Sequence, residues 1–260
     1  MFELLIEIVS NQRVTDDTWL MGLRSEEIAK TAKPGQFVMI RVRPGLDPLL
    51  RRPFSICGVR DDLLLVLYRV VGKGTSLMTG LREGEGIRVL GPLGKGFAVP
   101  ENSNSRLLVG GGIGIAPLVF LDQFHREKQI PFMMGFRSAK DIISPQRITG
   151  EDTSFLIATD DGTKGHPGPV TDLLEKHLSK NPGEVAIYAC GPKPMLRKVA
   201  QMTMPLRIPC QVSLESHMAC GMGACQGCAV KASSGEEKSY LYVCKEGPVF
   251  KAEEIDWEMI

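Results

Sequence analysis

Short apolar runs separated by turn residues fill the first hundred positions. Residues 2–9, 36–42, 54–59 and 63–71 are strand-like, with β-branched or aromatic side chains in places, and Pro34-Gly35, Pro44-Gly45 and Asp61-Asp62 punctuate them. Many short strands at close spacing predict a small antiparallel β-barrel. The rhythm changes near residue 101. A polar stretch, 101–105, reads as a linker, and Leu107-Leu108-Val109 starts a buried strand that runs into glycines. Further strand runs fall at 132–135, 154–159 and 184–189, with helical stretches at 116–128 and 170–179 between them. Strand–helix alternation predicts a parallel sheet with crossover helices. Residues 205–209, bounded by prolines, close that region, and 210–260 reads as a small, loop-rich third module. The expected architecture is therefore multidomain: an antiparallel β-barrel over 1–100, an α/β Rossmann-like unit over 101–209 and a C-terminal module over 210–260.

Composition changes this picture little. Hydrophobic residues make up 43% and charged residues 23% of the 260, an ordinary balance for a folded soluble chain. The formal net charge of +1 gives no reason to expect nucleic acid or an anionic membrane as partner. The N-terminus lacks the basic start of a secretory signal, and the longest uncharged apolar run, 107–121, is broken by four glycines and a proline. A cytoplasmic location is expected.

Cysteine usage is more informative. There are seven, and Cys220, Cys225, Cys228 and Cys244 lie in the last 41 residues with the spacing C-x4-C-x2-C-x15-C. This is the plant-type ferredoxin arrangement for a [2Fe–2S] cluster, in which four thiolates converge on two irons. Gly221, Gly223 and Gly227 interleave the thiols and let the backbone wrap closely. A structural zinc site or unrelated buried cysteines are the alternatives, although zinc usually shows two short C-x2-C pairs. Cys57, Cys190 and Cys210 read as small core residues, and His217, beside the cysteine loop, as packing.

Four further segments bear on nucleotides. In Leu-Arg-Arg-Pro-Phe-Ser-Ile (50–56), Arg52 can pair with a pyrophosphate, Phe54 can lie against a ring system and Ser55 can hydrogen-bond a flavin edge. An Arg-Pro-aromatic turn is common, so alone this is weak. Gly-Lys-Gly-Thr-Ser (72–76) offers small residues at a helix start, although taken alone it reads better as a capped hairpin. Gly110–Gly112 and Gly114 form a glycine-rich turn between strand and helix, an imperfect Rossmann fingerprint because Pro117 holds the third small position. Cys190-Gly191-Pro192 ends a later strand, where ligands of open α/β sheets bind.

In this order, Arg-Pro-Phe-Ser, Gly-Thr-Ser, Gly-Gly-Gly-Ile-Gly-Ile-Ala-Pro and Cys-Gly-Pro resemble the ferredoxin–NADP reductase superfamily. With the C-terminal cysteines added, essentially the whole chain resembles the iron–sulfur electron-transfer subunits of class 1B dihydroorotate dehydrogenases. The resemblance implies an FAD domain, an NAD domain and a [2Fe–2S] module. It assigns FAD to Arg52, Pro53, Phe54, Ser55, Leu67, Tyr68, Arg69, Gly74 and Thr75, exchangeable NAD(H) to Gly111, Gly112, Gly114, Cys190 and Gly191, and the cluster to Cys220, Cys225, Cys228 and Cys244. It further implies a separate FMN-containing catalytic subunit in a two-plus-two heterotetramer, with electrons passing from dihydroorotate through FMN, cluster and FAD to NAD⁺. Subunits of NADH-dependent ferredoxin:NADP⁺ oxidoreductases share this organisation, with an aspartate replacing one cluster ligand; here all four are cysteine. Asp160 and Asp161 would repel a 2′-phosphate, favouring NAD over NADP. A stand-alone NAD(P)H-dependent ferredoxin or oxygenase reductase, and a zinc-bearing adaptor, are the rival readings.

Overall fold

The structure, a computed structural model, describes residues 1–100, 105–125, 130–150, 155–180 and 185–260. The expected linker residues 101–104, the helix end 126–128 and the starts of two expected strands at 154 and 184 lie outside the described residues.

The N-terminal region, through Leu93, closes into a six-stranded antiparallel barrel. Its strands are β1 (Phe2–Arg13), β2 (Thr18–Arg24), β3 (Phe37–Arg41), β4 (Arg52–Arg60), β5 (Leu63–Arg69) and β6 (Gly86–Leu93), in spatial order β1-β2-β5-β4-β3-β6. Closure leaves no edge strand unpaired. Two short helices plug connections. In α1 (Glu26–Thr31) the Ser25 hydroxyl accepts from the Ile28 N–H at 3.3 Å, while α2 (Lys73–Met78) follows β5. Alternation sorts β3 cleanly: Val38 and Ile40 fill the barrel, whereas Phe37 and Met39 point outward into a second core.

Past the barrel, strands β7 (Arg106–Gly111), β8 (Phe132–Phe136), β9 (Phe155–Thr159), β10 (His166–Pro167), β11 (Ala186–Cys190), β12 (Cys210–Ser213) and β15 (Val249–Lys251) form one sheet among the described residues. Its order is β10-β9-β8-β7-β11-β12-β15, parallel except for β15. The sheet therefore runs on past residue 209: β12 extends it from β11, and β15 returns from the C-terminal module to form its last strand. Chain order reverses between β7 and β11, which makes their carboxyl ends the topological switch point.

Helices cover both faces. On one side α5 (Val170–Lys180) and α6 (Lys193–Thr203) bury Leu174, Leu178, Leu196 and Val199. On the other, α3 (Ile115–Phe124) is apolar nearly all round, because it is sandwiched between the sheet and β4. Phe120 of α3 reaches the barrel core, a burial contributing about 1.5–3 kcal/mol. Gln123 donates to the Val59 carbonyl at 3.1 Å, and Arg147 of α4 (Pro145–Thr149) to that of Val14 at 2.8 Å, so barrel and sheet are fastened together.

The C-terminal module is a loop carrying Cys220–Cys228 and a hairpin, β13 (Ala229–Lys231) with β14 (Tyr240–Tyr242). His217 is exposed here rather than packed.

Candidate functional site

The four cysteines that stand apart in sequence are gathered by the hairpin. Cys228 immediately precedes β13 and Cys244 follows β14 by two residues, and the Val243 N–H donates to the Cys228 carbonyl at 3.1 Å, so pairing the strands brings the two thiols to 3.2 Å. Cys220 and Cys225 make a second pair, with the Cys225 N–H donating to the Cys220 sulfur at 3.4 Å. Backbone N–H groups of Met222 (to Cys220, 3.4 Å) and Gly223 (to Cys244, 3.1 Å) also point at sulfur. The loop needs left-handed backbone at Gly221 (φ +73°) and Gly223 (φ +86°), where any side chain would be strained.

Among the described residues no three metal-ligating side chains surround one point. Two thiol pairs held side by side suit two metal ions bridged by sulfide better than a single zinc. Electrostatics fit the same donor set. Burial raises the Cys220 thiol, but the N–H groups of Cys225 and Met222 outweigh it and bring it down to about 6. Burial, then the adjoining Cys228 thiol, push Cys244 up to about 12, so metal binding there must displace a proton.

The expected flavin residues divide into three groups. Arg52 lies over the start of α2: a Cβ added to Gly74 would sit 3.1 Å from Arg52 Nε, and Nη1 donates to the Leu50 carbonyl at 2.5 Å. Thr75 is spent on its own loop, its hydroxyl accepting from the N–H groups of Val71 and Gly72 at 2.9 and 3.2 Å. On β4, Arg52 and Phe54 are register partners of the inward Ile40 and Val38, and Pro53 and Ser55 of the outward Met39 and Phe37. All four of these β4 residues keep partial exposure. By contrast Leu67 and Tyr68 have buried side chains: Tyr68 donates to Asn11 Oδ1 at 2.9 Å, and its ring meets Phe54 edge-on at 6.1 Å. Burial pushes the Tyr68 hydroxyl up to about 12, so it stays a neutral brace beneath Phe54.

Arg69 belongs elsewhere. Its guanidinium lies beside Gly112, pairs with Asp17 at 3.2 Å and lines a cleft of about 1010 Å³ with Gly111 and Gly112. Glu215, which no sequence motif singles out, remains exposed, yet partial desolvation raises its carboxyl against the opposing pull of Arg69.

That cleft opens at the carboxyl ends of β7, β8 and β9 and at the turn after β11. Gly112 has φ +54°, while Gly114 is buried against the next turn: a Cβ there would stand 2.6 Å from Gly191 Cα and 2.7 Å from the Cys190 carbonyl. Cys190, 2% exposed, is thus in the wall of the switch point, with its thiol raised by burial. Asp160 and Asp161 line the far side with Arg137 and Lys140. The Asp161 carboxylate already accepts from the Thr163 hydroxyl at 2.6 Å and N–H at 3.0 Å, bonds that lower its pKa, so Asp160 is the better placed to meet a ribose.

A barrel fastened to a parallel sheet, a dinucleotide-sized cleft at the switch point and two adjoining thiol pairs define a nicotinamide-linked oxidoreductase that also carries an iron–sulfur centre. Residues 108–201 match the oxidoreductase NAD-binding domain, and residues 215–256 match the iron–sulfur cluster binding domain of dihydroorotate dehydrogenase B. The chain belongs to the family of electron transfer subunits of dihydroorotate dehydrogenase B (NAD(+)). It is 38% identical to the Desulforamulus reducens member over 97% of each chain, and 40% identical to that of Bacillus velezensis over 96% of this chain and 97% of the relative. It also aligns with a solved structure of an NADH-dependent reduced ferredoxin–NADP oxidoreductase, at a TM-score of 0.85 and 30% identity, over 98% of this chain and 91% of that one.

Proposed function

We propose that this chain joins a separate FMN-containing catalytic subunit, in a cytoplasmic two-plus-two heterotetramer, and links dihydroorotate oxidation on that partner to NAD⁺. The observation that carries the reading is that the thiol loop rests on Met39, the ladder partner of Pro53, while Arg69, at the end of the strand next to Arg52–Arg60, lines the nucleotide cleft. A flavin there exchanges electrons singly with a cluster and as hydride with nicotinamide, which neither of those carriers can do for the other. No helix among the described residues is long and apolar enough to cross a membrane.

The residues divide the work as follows. Arg52, above Gly74 and the loop held by Thr75, provides the cation for the FAD pyrophosphate. Pro53, Phe54 and Ser55 present the strand surface to the ring system, with Tyr68 and Leu67 supporting it from the core. Gly111, Gly112 and Gly114, with the Cys190-Gly191 turn, leave room for backbone approach by NAD(H), and Arg69 faces the same cleft. Cys220, Cys225, Cys228 and Cys244 would hold the two irons of the cluster, which would supply one-electron transfer. None of these residues is asked to act as a general base; their task is orientation.

Purification together with neighbouring proteins tests the assembly. Copurification of an FMN protein in equal amount, with dihydroorotate-dependent NAD⁺ reduction only by the complex, is expected. A monomer that by itself supports full reduction of a soluble acceptor, and recruits no FMN protein, would return the stand-alone reductase.

Two substitutions test the sites. Arg52→Ala removes a charge-assisted phosphate contact worth roughly 1.5–3 kcal/mol, so FAD should be lost about 10- to 100-fold more readily on dilution or gel filtration. Unchanged flavin content would refute that role. Asp160→Ser removes the carboxylate facing the ribose, and the ratio of kcat/KM for NADH over NADPH should fall about tenfold from a value favouring NADH. An unchanged ratio would remove Asp160 from specificity.

A further inference from the structure

The cluster loop does not rest only on its own module. A Cβ placed on Gly221 would come 2.6 Å from Met39 Cγ and 3.1 Å from its Sδ, with Leu93 Cδ1 at 3.4 Å. The loop backbone next to Cys220 therefore lies directly on the outward face of β3. Met39 is fully buried and belongs to the same core as Cys228, Val243 and Cys244, although its neighbours Val38 and Ile40 fill the barrel. Across the ladder its register partner is Pro53, within the segment assigned to the flavin. One side chain thus separates the strand pair that presents the flavin surface from the loop that holds the first thiol pair.

We propose that Met39 is a positioning residue that sets how closely the cluster loop approaches the flavin strand. The inference rests on the function proposed above. An unbranched thioether fills an irregular gap without strain, and here it meets a glycine backbone rather than another side chain, which keeps the spacer one side chain thick. Because β3 is also laddered to β6, the spacer is anchored in the rigid barrel rather than in a loop.

The test uses the complete holoprotein and its Met39→Ala, Met39→Leu and Gly221→Ala variants. In Met39→Ala, iron and flavin content and NADH-to-dye turnover should match the parent. NADH-driven bleaching of the cluster, followed by rapid mixing, should slow measurably, because electron transfer weakens as the loop loses its fixed approach to the flavin strand. Hydrogen exchange at the amides of residues 221–225 should accelerate, a readout independent of turnover. Met39→Leu should fall between the two. Gly221→Ala should slow bleaching too, and adding Met39→Ala to it should recover part of the loss, since the new methyl enters the vacated space. Parental bleaching and exchange rates in Met39→Ala would overturn the proposal, as would loss of iron in both Met39→Ala and Met39→Leu, which would make Met39 a folding contact alone. A parent protein holding iron and flavin whose cluster NADH cannot bleach would instead sink the function proposed above.

Discussion

Cys225→Ser should abolish electron transfer between this chain and its partner while leaving NADH oxidation by artificial dyes largely in place. Cys225 is the exposed member of its pair, on the loop 222–227 that projects from the module, and its N–H also supports the Cys220 sulfur. Serine keeps the backbone and that N–H but replaces a thiolate with a hydroxyl, whose oxygen is a poor ligand for iron at neutral pH. The cluster would then keep three of its four proposed protein ligands, and the centre should be lost or reduced to a small fraction of its iron. The loop is held by the second pair through the hairpin, so the fold of the module should survive better than its metal content. The nucleotide cleft lies on other elements, so the dye reaction needs none of the four thiols. Iron analysis, the EPR signal of the reduced protein, and dihydroorotate-to-NAD⁺ and NADH-to-dye rates measured together decide the matter. Undiminished flow to the partner without iron would mean that electrons bypass this loop.

The fold class, a barrel, a parallel sheet and a thiol loop, was legible because each part repeats one physical signal. The cysteine spacing fixes how many ligands one loop and one later residue can deliver, and the hairpin that closes the long gap needs only to bring Cys244 back to Cys228. The Rossmann-like unit announces itself through apolar strands alternating with helical stretches, the first strand running into glycines. The barrel was read incompletely. Strand β2 contains Gly22, where a Cβ would press on the Ser10 hydroxyl at 2.7 Å, and β6 contains Gly86, Gly91 and Pro92. These are breakers in a local reading, and barrel closure overrides them. Helix α1 is too short to show a period, and only its Ser25 cap marks it. The return of β15 to the sheet is a long-range pairing that no local pattern encodes, so the C-terminal module looked more separate than it is.

Site residues followed the same rule. Arg52, Phe54 and Ser55 could be nominated because their chemistry suits a flavin, and they retain exposure in the fold. Leu67 and Tyr68 sit in the adjoining strand with buried side chains, which places them behind the site. Arg69 is one residue further along, where β5 ends, and that step turns it toward the nucleotide cleft. The spacer role of Met39 had no chemical signature at all; it exists only because Gly221 lands on it.

The complement of the thiol experiment is Gly114→Ala, which should disable nucleotide use and spare the cluster. Gly114 has an ordinary helical φ of −62°, so alanine would cost nothing in backbone conformation. The cost is steric: the new methyl would meet Gly191 Cα and the Cys190 backbone at 2.6–2.7 Å, contacts with backbone that cannot swing aside. Relief requires the glycine-rich turn and the Cys190-Gly191 turn to part, and those two turns form the switch-point wall that NAD(H) is proposed to use. Overpacking of this kind costs about 1–3 kcal/mol. Expressed at the cleft, it should lower kcat/KM for NADH with dye acceptors roughly 10- to 100-fold. Iron content and the EPR signal of chemically reduced protein should remain those of the parent, because the four thiols lie on the C-terminal loop and hairpin, outside both turns. A larger residue, as in Gly114→Val, should deepen the loss in proportion to bulk. Parental kcat/KM in Gly114→Ala, with the fold intact by circular dichroism, would show that the two turns can separate without consequence, and the cleft between them would no longer qualify as the nicotinamide site.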